Sequence, residues 1–287
     1  MITEWIEQYK PTNNLQAEQA LREIMQEITL AGLQRSGFFE QAAFYGGTAL
    51  RIFHRLPRFS EDLDFSLLAP IPGFSLQPYL EAVQGQFTAL GMQVTIAEKT
   101  KSKKTNIDSA FLKGDTTWKE LVLKGIIPQE KTSTRPEIKI KLEVDTNPPG
   151  GFYTEEKLLL KPFSFYVKCV GLPDLFAGKL HALLFRQWKN RVKGRDWFDM
   201  EWYIQKGVPL NLEHLKTRAV QTGNWDKNSL TQRDLLQLLN EKIDTVSFAS
   251  IRADIIKFIP DASVLDIWSP TYFHDLVKNI KLSPVIS

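Results

Sequence analysis

Residues 46–65 read GGTALRIFHRLPRFSEDLDF. Gly46 and Gly47 follow a short apolar run, Ala42 to Tyr45. Thr48 then opens TALRIFHRL, whose spacing predicts a helix capped by Thr48 and closed at Pro57. Past the turn, Asp62 to Leu67 alternates acid with apolar residue, which predicts a strand. Side chains two apart on a strand share a face, so Asp62 and Asp64 point one way while Leu63 and Phe65 point into the core. Two carboxylates this close repel each other unless a cation lies between them. Oxygen donors of this kind suit Mg²⁺, which typically keeps water and substrate phosphates in its shell. The glycines let the backbone approach a bulky group, and the helix that follows offers unpaired N–H groups to an anion. Thr48 adds a hydroxyl donor, and Arg58 and Ser60, just before the acids, are in reach of the same phosphates. A Gly-Gly turn or a D-x-D alone is an ordinary surface feature. Together, on one strand–loop–helix–turn–strand unit, they read as a cradle holding a triphosphate against magnesium.

A two-metal site needs a further acid. Ile138, Ile140, Leu142 and Val144 alternate with Lys139, Lys141, Glu143 and Asp145, a half-buried strand ended by Asn147-Pro148-Pro149-Gly150-Gly151. Lys141, Glu143 and Asp145 therefore share a face. Glu143 is placed to complete the acidic cluster, with Asp145 as its rival, and Lys141 to touch a phosphate. The chain contains neither G-x-x-x-x-G-K-[ST] nor G-x-G-x-x-G, so this is not a P-loop or a Rossmann cradle.

The rest of the chain supplies a frame. At 287 residues, with 43% hydrophobic and 24% charged residues, it has the composition of a globular protein with ample core material. No apolar stretch is long enough to span a bilayer, and MITEWIEQYK lacks a signal-peptide pattern. One cysteine, Cys169, excludes an internal disulfide, and four scattered histidines without a C-x-x-C or H-E-x-x-H make a zinc site unexpected. A cytoplasmic protein is expected. Helices are predicted at 15–31 and 78–90, strands near 92–96 and 163–170, and a charged hairpin or loop over Lys99–Lys104. Six further helices follow, at about 173–188, 195–206, 211–220, 230–243, 248–258 and 270–281. The expected fold is α/β (α+β): a mixed-sheet core domain over 1–170 and a mostly helical domain over 171–287. From Lys179 to Arg195 six basic residues occur with no glutamate and, before Asp196, no aspartate; this is either a solvated face or an electropositive wall for phosphates.

GGTAL followed by R-F-S-E-D-L-D-F resembles the signature of the nucleotidyltransferase AbiEii/AbiGii toxin family, within the DNA polymerase β-like nucleotidyltransferase superfamily. The family's K-x-[DE] strand is matched by Lys141-Leu142-Glu143. Its lysine, arginine seven residues on and R-D-x-x-D are matched by Lys179, Arg186 and Arg195-Asp196-Trp197-Phe198-Asp199. The motifs run in order over about residues 40–205. Glu143 stands where Asp is more usual, and Asp145 where a small hydroxyl residue or Ile is common, so both remain candidates for the third carboxylate. The resemblance implies a nucleotidyltransferase core with a helical C-terminal domain, its site in the cleft between the two. Mg²⁺ would be held by Asp62, Asp64 and Glu143. Gly46, Gly47, Thr48, Arg58, Ser60, Lys141, Arg186 and Asp196 would bind the nucleoside triphosphate, and Lys179 and Asp199 would join the acids as catalytic residues. Asp196 and Asp199, three apart on a helix, would orient Lys179 or Arg186 toward a phosphate; an interhelical salt bridge is the plain alternative. By family analogy the acceptor is the 3′ end of tRNA, the context a toxin–antitoxin or phage-defence system, and a cognate antitoxin the partner. Lys189–Arg195, interleaved with Trp188 and Trp197, would suit an RNA acceptor stem. Rival readings are transfer to a small molecule or protein side chain, and a non-catalytic module that binds nucleotide or RNA.

Overall fold

The computed structural model of the chain describes residues 2–98, 107–114, 138–186 and 192–284, with the backbone alone at 97–98 and 107–114. The predicted Lys99–Lys104 loop lies outside these residues, as do Trp188, Lys189 and Arg191. The chain forms two compact units. One comprises residues 1–49, 60–148 and 156–169; the other comprises 50–59, 149–155 and 170–287.

The first unit is built on a mixed seven-stranded sheet in the order β3-β4-β5-β2-β1-β7-β6. Its strands are β1 (Ala42–Tyr45), β2 (Asp62–Leu67), β3 (Val94–Glu98), β4 (Ile107–Gly114), β5 (Ile138–Asp145), β6 (Thr154–Leu159) and β7 (Phe165–Val170). β1 runs antiparallel to β2 and parallel to β7, and β2 runs parallel to β5. β5 follows its sequence pattern: Ile138, Ile140, Leu142 and Val144 are fully buried, and the polar residues between them face the other way. β1 lies inside the sheet between two partners, so Ala42, Ala43 and Phe44 are all buried and no alternation appears. β4 and β6 have no counterpart among the predicted strands. In β4, IDSAFLKG, the alternation is interrupted by Ser109 and Ala110, and it becomes a strand by pairing with β3 on one side and β5 on the other.

Helices α1 (Ile2–Gln8), α2 (Asn14–Arg35), α3 (Gly46–His54) and α4 (Gln77–Ala89) accompany these strands. The Asn13 side chain accepts from Gln16 N–H and caps α2. The residues of α2 predicted at helical spacing, Leu21, Ile24, Met25 and Ile28, are all buried. Gly32 lets α4 approach closely: a Cβ there would lie 2.5 Å from the Val83 Cα. At the end of α3, Arg55 takes a left-handed conformation (φ 59°), and the Leu56 N–H returns to the Leu50 carbonyl.

The second unit is helical: α5 (Leu172–Phe185), α6 (Gly194–Gln205), α7 (Leu212–Gln221), α8 (Gln232–Thr245), α9 (Phe248–Ile255) and α10 (Pro270–Val277). Their starts follow sequence signals. Thr231 and Asp234 form a capping box at α8, and Asn211, Ser247 and Ser269 cap α7, α9 and α10. The core of this unit is aromatic, with Trp197, Trp268 and Phe273 in edge-on contacts around 5 Å between centroids. Among the described residues no helix is long and apolar enough to cross a membrane.

Candidate active site

In the sheet unit, the register brings the predicted acids together. Asp62 pairs with Lys141, Asp64 with Glu143 and Ser66 with Asp145. Neighbouring strands lie about 4.8 Å apart, so Glu143 is the direct lateral neighbour of Asp64, and Asp145 is one same-face step further along. Asp62, Asp64, Lys141, Glu143 and Asp145 are all half-buried, and the residues between them are core. The Lys141 ammonium pairs with the Glu143 carboxylate. Asp145 accepts from the Asn147 N–H at 3.1 Å, which ties it to the turn ending the strand.

Across β2 on its other side, Tyr45 of β1 pairs with Asp64, and Gly46 follows with φ +81°. A Cβ on Gly46 would overlap the Asp64 Oδ2 and lie 3.1 Å from its Cβ and Cγ. The first glycine is thus required twice: by its left-handed backbone and by the carboxylate packed against it. Gly47 is buried in the first turn of α3.

Two expectations change here. The helix starts at Gly46, so Thr48 is its third residue and not its cap. The Thr48 hydroxyl is fully buried and donates to the Asp62 carbonyl, fastening the start of α3 to the start of β2. Its place is therefore beneath the acids and not toward a phosphate. Ser60 is half-buried, and its carbonyl accepts from the Gln26 amide at 3.1 Å.

The donor set of Asp62, Asp64 and Glu143 is all carboxylate oxygen, which matches a hard divalent cation such as Mg²⁺. Among the described residues no three His, Cys, Asp or Glu side chains are gathered closely enough to hold a metal ion as they stand. Glu143 is turned to Lys141 and would have to swing to Asp64.

The helical unit contains a second, buried constellation. Arg58 grips Asp199 with two parallel bonds, Nε to Oδ1 and an Nη to Oδ2, both 2.6 Å. Its other Nη donates to the Phe59 carbonyl at 2.9 Å. Lys179 on α5 meets Asp196 and Asp199 on α6 at 2.8 Å each. Arg58 is 2% exposed and Asp199 0%. This corrects the reading of Arg58 as a phosphate ligand: its guanidinium is enclosed and committed to Asp199. Burial alone would raise the Asp199 carboxyl, but Arg58 and then Lys179 outweigh it and hold the pKa at about 2. Burial likewise opposes the Lys179 charge, yet Asp196 and Asp199 hold its pKa above the ordinary 10.5. Lys179 is a fixed cation, not a proton donor near neutrality.

Arg186 sits just past α5, which ends at Phe185 where the backbone turns extended, so it is not part of the helix predicted to 188. Its side chain is exposed. Trp197 is 2% exposed, packed edge-on against Phe248 and Phe273, so it is a core residue and offers no stacking face to RNA. Cys169 is buried. His181 lies 2.9 Å from the Thr222 hydroxyl, its pKa pushed down to about 4 by burial and by Arg218 and Arg186.

The match to a family model extends over residues 28–277, the model of the nucleotidyl transferase AbiEii toxin of type IV toxin–antitoxin systems. The chain belongs to the AbiEii nucleotidyltransferase toxin family. The AbiEii match continues well past the last motif read in the sequence, through α10. Two solved structures from Helicobacter pylori are similar to this AbiEii chain. One, a candidate nucleotidyltransferase, has 18% identity and a TM-score of 0.49 over 89% of both chains. The other, JHP933, has 15% identity and a TM-score of 0.42 over 90% of this chain and 92% of its own. No curated protein matches. The pairing of Arg58 with Asp199, 141 residues apart, is the feature that sequence reasoning missed. No local pattern encodes it; the one available signal was an arginine and an aspartate each standing within a motif.

Proposed function

We propose that this AbiEii-family toxin is a magnesium-dependent nucleotidyltransferase that moves a nucleotidyl group from a nucleoside triphosphate to an acceptor hydroxyl at the 3′ end of tRNA. The observation that carries the reading is the β2–β5 register, which sets Glu143 beside Asp64 and Lys141 beside Asp62 on one face. Asp62, Asp64 and Glu143 are the proposed holders of Mg²⁺, and the same register favours Glu143 over Asp145. Bound there, the ion would neutralise charge on the phosphates and make an acceptor oxygen more nucleophilic.

The chain's own residues have separable tasks. Gly46, which has no Cβ to meet the Asp64 carboxylate, opens α3 with Gly47, and the N–H groups of that first turn are the proposed donors to phosphate oxygens. Lys141 is released to a phosphate when Glu143 turns away from it. Ser60, beside the acids, adds a hydroxyl. In the helical unit, Asp196 and Asp199 hold Lys179 charged as a phosphate-directed cation, with Arg58 fixing Asp199 from behind, and Arg186 contributes an exposed cation. The new bond joins the acceptor oxygen to the α-phosphorus, the bond to the β-phosphate oxygen breaks, and pyrophosphate leaves. Catalysis of this kind is positioning and charge neutralisation. A cognate antitoxin is the partner implied by a type IV toxin–antitoxin family, and a role in phage defence is proposed with it.

The test is to incubate the protein with each of the four α-labelled NTPs, Mg²⁺ and total tRNA, with D64A as control. Label on tRNA from the wild type and none from D64A is expected. No transfer with any NTP rejects the reading; label on protein or small molecules, with tRNA untouched, moves the acceptor to those classes.

A further inference from the structure

On the open face of β5 a cation stands among the acids. Lys141 and Glu143 are two residues apart on one strand, so their side chains emerge on the same side, roughly 6–7 Å apart. Both are long enough to close that span, and the Lys141 ammonium meets the Glu143 carboxylate. The β2–β5 register puts Asp62 beside Lys141 and Asp64 beside Glu143. Asp145, the next acid along the face, accepts from the Asn147 N–H at 3.1 Å and is drawn toward the turn. The pair is partly exposed, Lys141 at 30% and Glu143 at 25%. Ion pairs open to water are weak enough to exchange partners, unlike the enclosed Arg58–Asp199 pair. Each member of the pair is held back from a different ligand. Turned to Lys141, Glu143 is directed away from Asp64, and among the described residues no three acids are gathered around a metal position. Turned to Glu143, Lys141 has its charge already matched and attracts a phosphate less.

We propose that the Lys141–Glu143 pair is a latch that couples metal entry to triphosphate entry, with Lys141 as a tethered counter-ion that a divalent cation must displace from Glu143. A divalent ion that recruits Glu143 frees Lys141, and a phosphate that recruits Lys141 frees Glu143. Such coupling is reciprocal: each ligand raises the affinity of the other by the same factor. The inference rests on the proposed metal and phosphate roles of this face and adds that neither ligand is held at full strength alone. Direct contact between ion and phosphate would couple them as well, so the test reads each ligand without the other.

Mn²⁺ alone is titrated by electron paramagnetic resonance, and inorganic triphosphate alone by calorimetry in EDTA. The proteins are the wild type, K141M, E143Q and K141M/E143Q. K141M removes a charge as well as the latch, but the charge acts through space in the E143Q background too, so the difference between backgrounds isolates the latch. K141M should tighten Mn²⁺ binding about threefold more where Glu143 is present than in the E143Q background. In EDTA, E143Q should likewise tighten triphosphate binding about threefold more where Lys141 is present than in the K141M background. Both are gains of affinity, which a folding defect does not produce. K141R, which keeps the charge and the pair, should follow the wild type, and D62N/D64N should lose Mn²⁺ binding. Equal effects in the two backgrounds, in either titration, overturn the latch and leave through-space charge alone. Absence of Mn²⁺ binding to every variant, wild-type Mn²⁺ binding by D62N/D64N, or absence of triphosphate binding to E143Q overturns it equally. Labelling of tRNA without these couplings sinks the latch alone; the couplings without labelling sink the transferase reading alone.

Discussion

Replacing Arg58 by Met keeps much of the side-chain stem and removes the charge, leaving Asp199 with Lys179 as its remaining cationic partner. Asp199 is fully buried and Arg58 nearly so, so water cannot replace the two lost 2.6 Å bonds. Breaking a buried pair by removing one partner costs about 3–5 kcal/mol. Lys179 still compensates part of the Asp199 charge, so the lower end, about 3 kcal/mol, is expected. With a urea slope of about 3 kcal/mol/M, the unfolding midpoint should fall by about 1 M at unchanged slope. The assay is urea denaturation at pH 7 followed by tryptophan fluorescence, since Trp197, Trp202 and Trp268 are buried in the same unit. The pH dependence gives an independent check. In the wild type the Asp199 pKa is about 2, below the ordinary 3.8. Its contribution is therefore present above about pH 3.8 and lost as pH falls through about 2. In R58M that pKa must rise toward the ordinary 3.8, so the acid-labile contribution shrinks and its loss is complete at higher pH. R58M/D199L, which exchanges the pair for apolar side chains, should recover part of the stability lost in R58M. A midpoint for R58M within about 0.2 M of wild type would refute the claim that the buried Asp199 charge depends on Arg58.

Gly46→Ala should lower the thermal midpoint and abolish label transfer, because the new methyl meets the Asp64 carboxylate and a left-handed backbone alone costs about 1–2 kcal/mol; wild-type transfer by this variant would contradict the packing described. D62N/D64N should remove transfer without lowering the midpoint in EDTA, since it relieves carboxylate repulsion, and should cancel any rise in midpoint that millimolar Mg²⁺ produces in the wild type. Glu27 on α2 has its pKa raised to about 7 by burial and by Glu23 against the opposing pull of Lys161. Its proton is held more tightly in the folded state, so stability is greatest below about pH 4.5 and declines as pH rises through 7. Glu27→Gln should therefore raise the midpoint at pH 8, by a ceiling of about 3 kcal/mol, and leave it nearly unchanged at pH 4.5; an equal shift at both pH values would show that titration is not the cause.

Much of this protein was legible before any coordinates, wherever the information is local. Alternation marked β2 and β5 and helical spacing marked α2, because both periods are set within a few residues of chain. The sharing of a face by Asp62 and Asp64 follows from the two-residue period of a strand and required no partner. What lay beyond the sequence depends on which segments meet. That β2 pairs with β5 in the register setting Glu143 against Asp64 is decided by burial of Leu63, Phe65, Leu142 and Val144 on the common inner face. A shift by one residue would turn those side chains to solvent. Gly46 was readable as a turn glycine, but the Asp64 carboxylate that makes it obligatory comes from the neighbouring strand. Arg58 and Trp197 were assigned by the company they keep in the chain, and tertiary structure overruled both. An arginine exposed on paper becomes the buried partner of an aspartate 141 residues away, and a tryptophan among cations becomes core. Charge and aromaticity state what a side chain is able to do. Enclosure decides which of those interactions remain open to it, because removal from water makes an unpaired charge too costly to leave unmet.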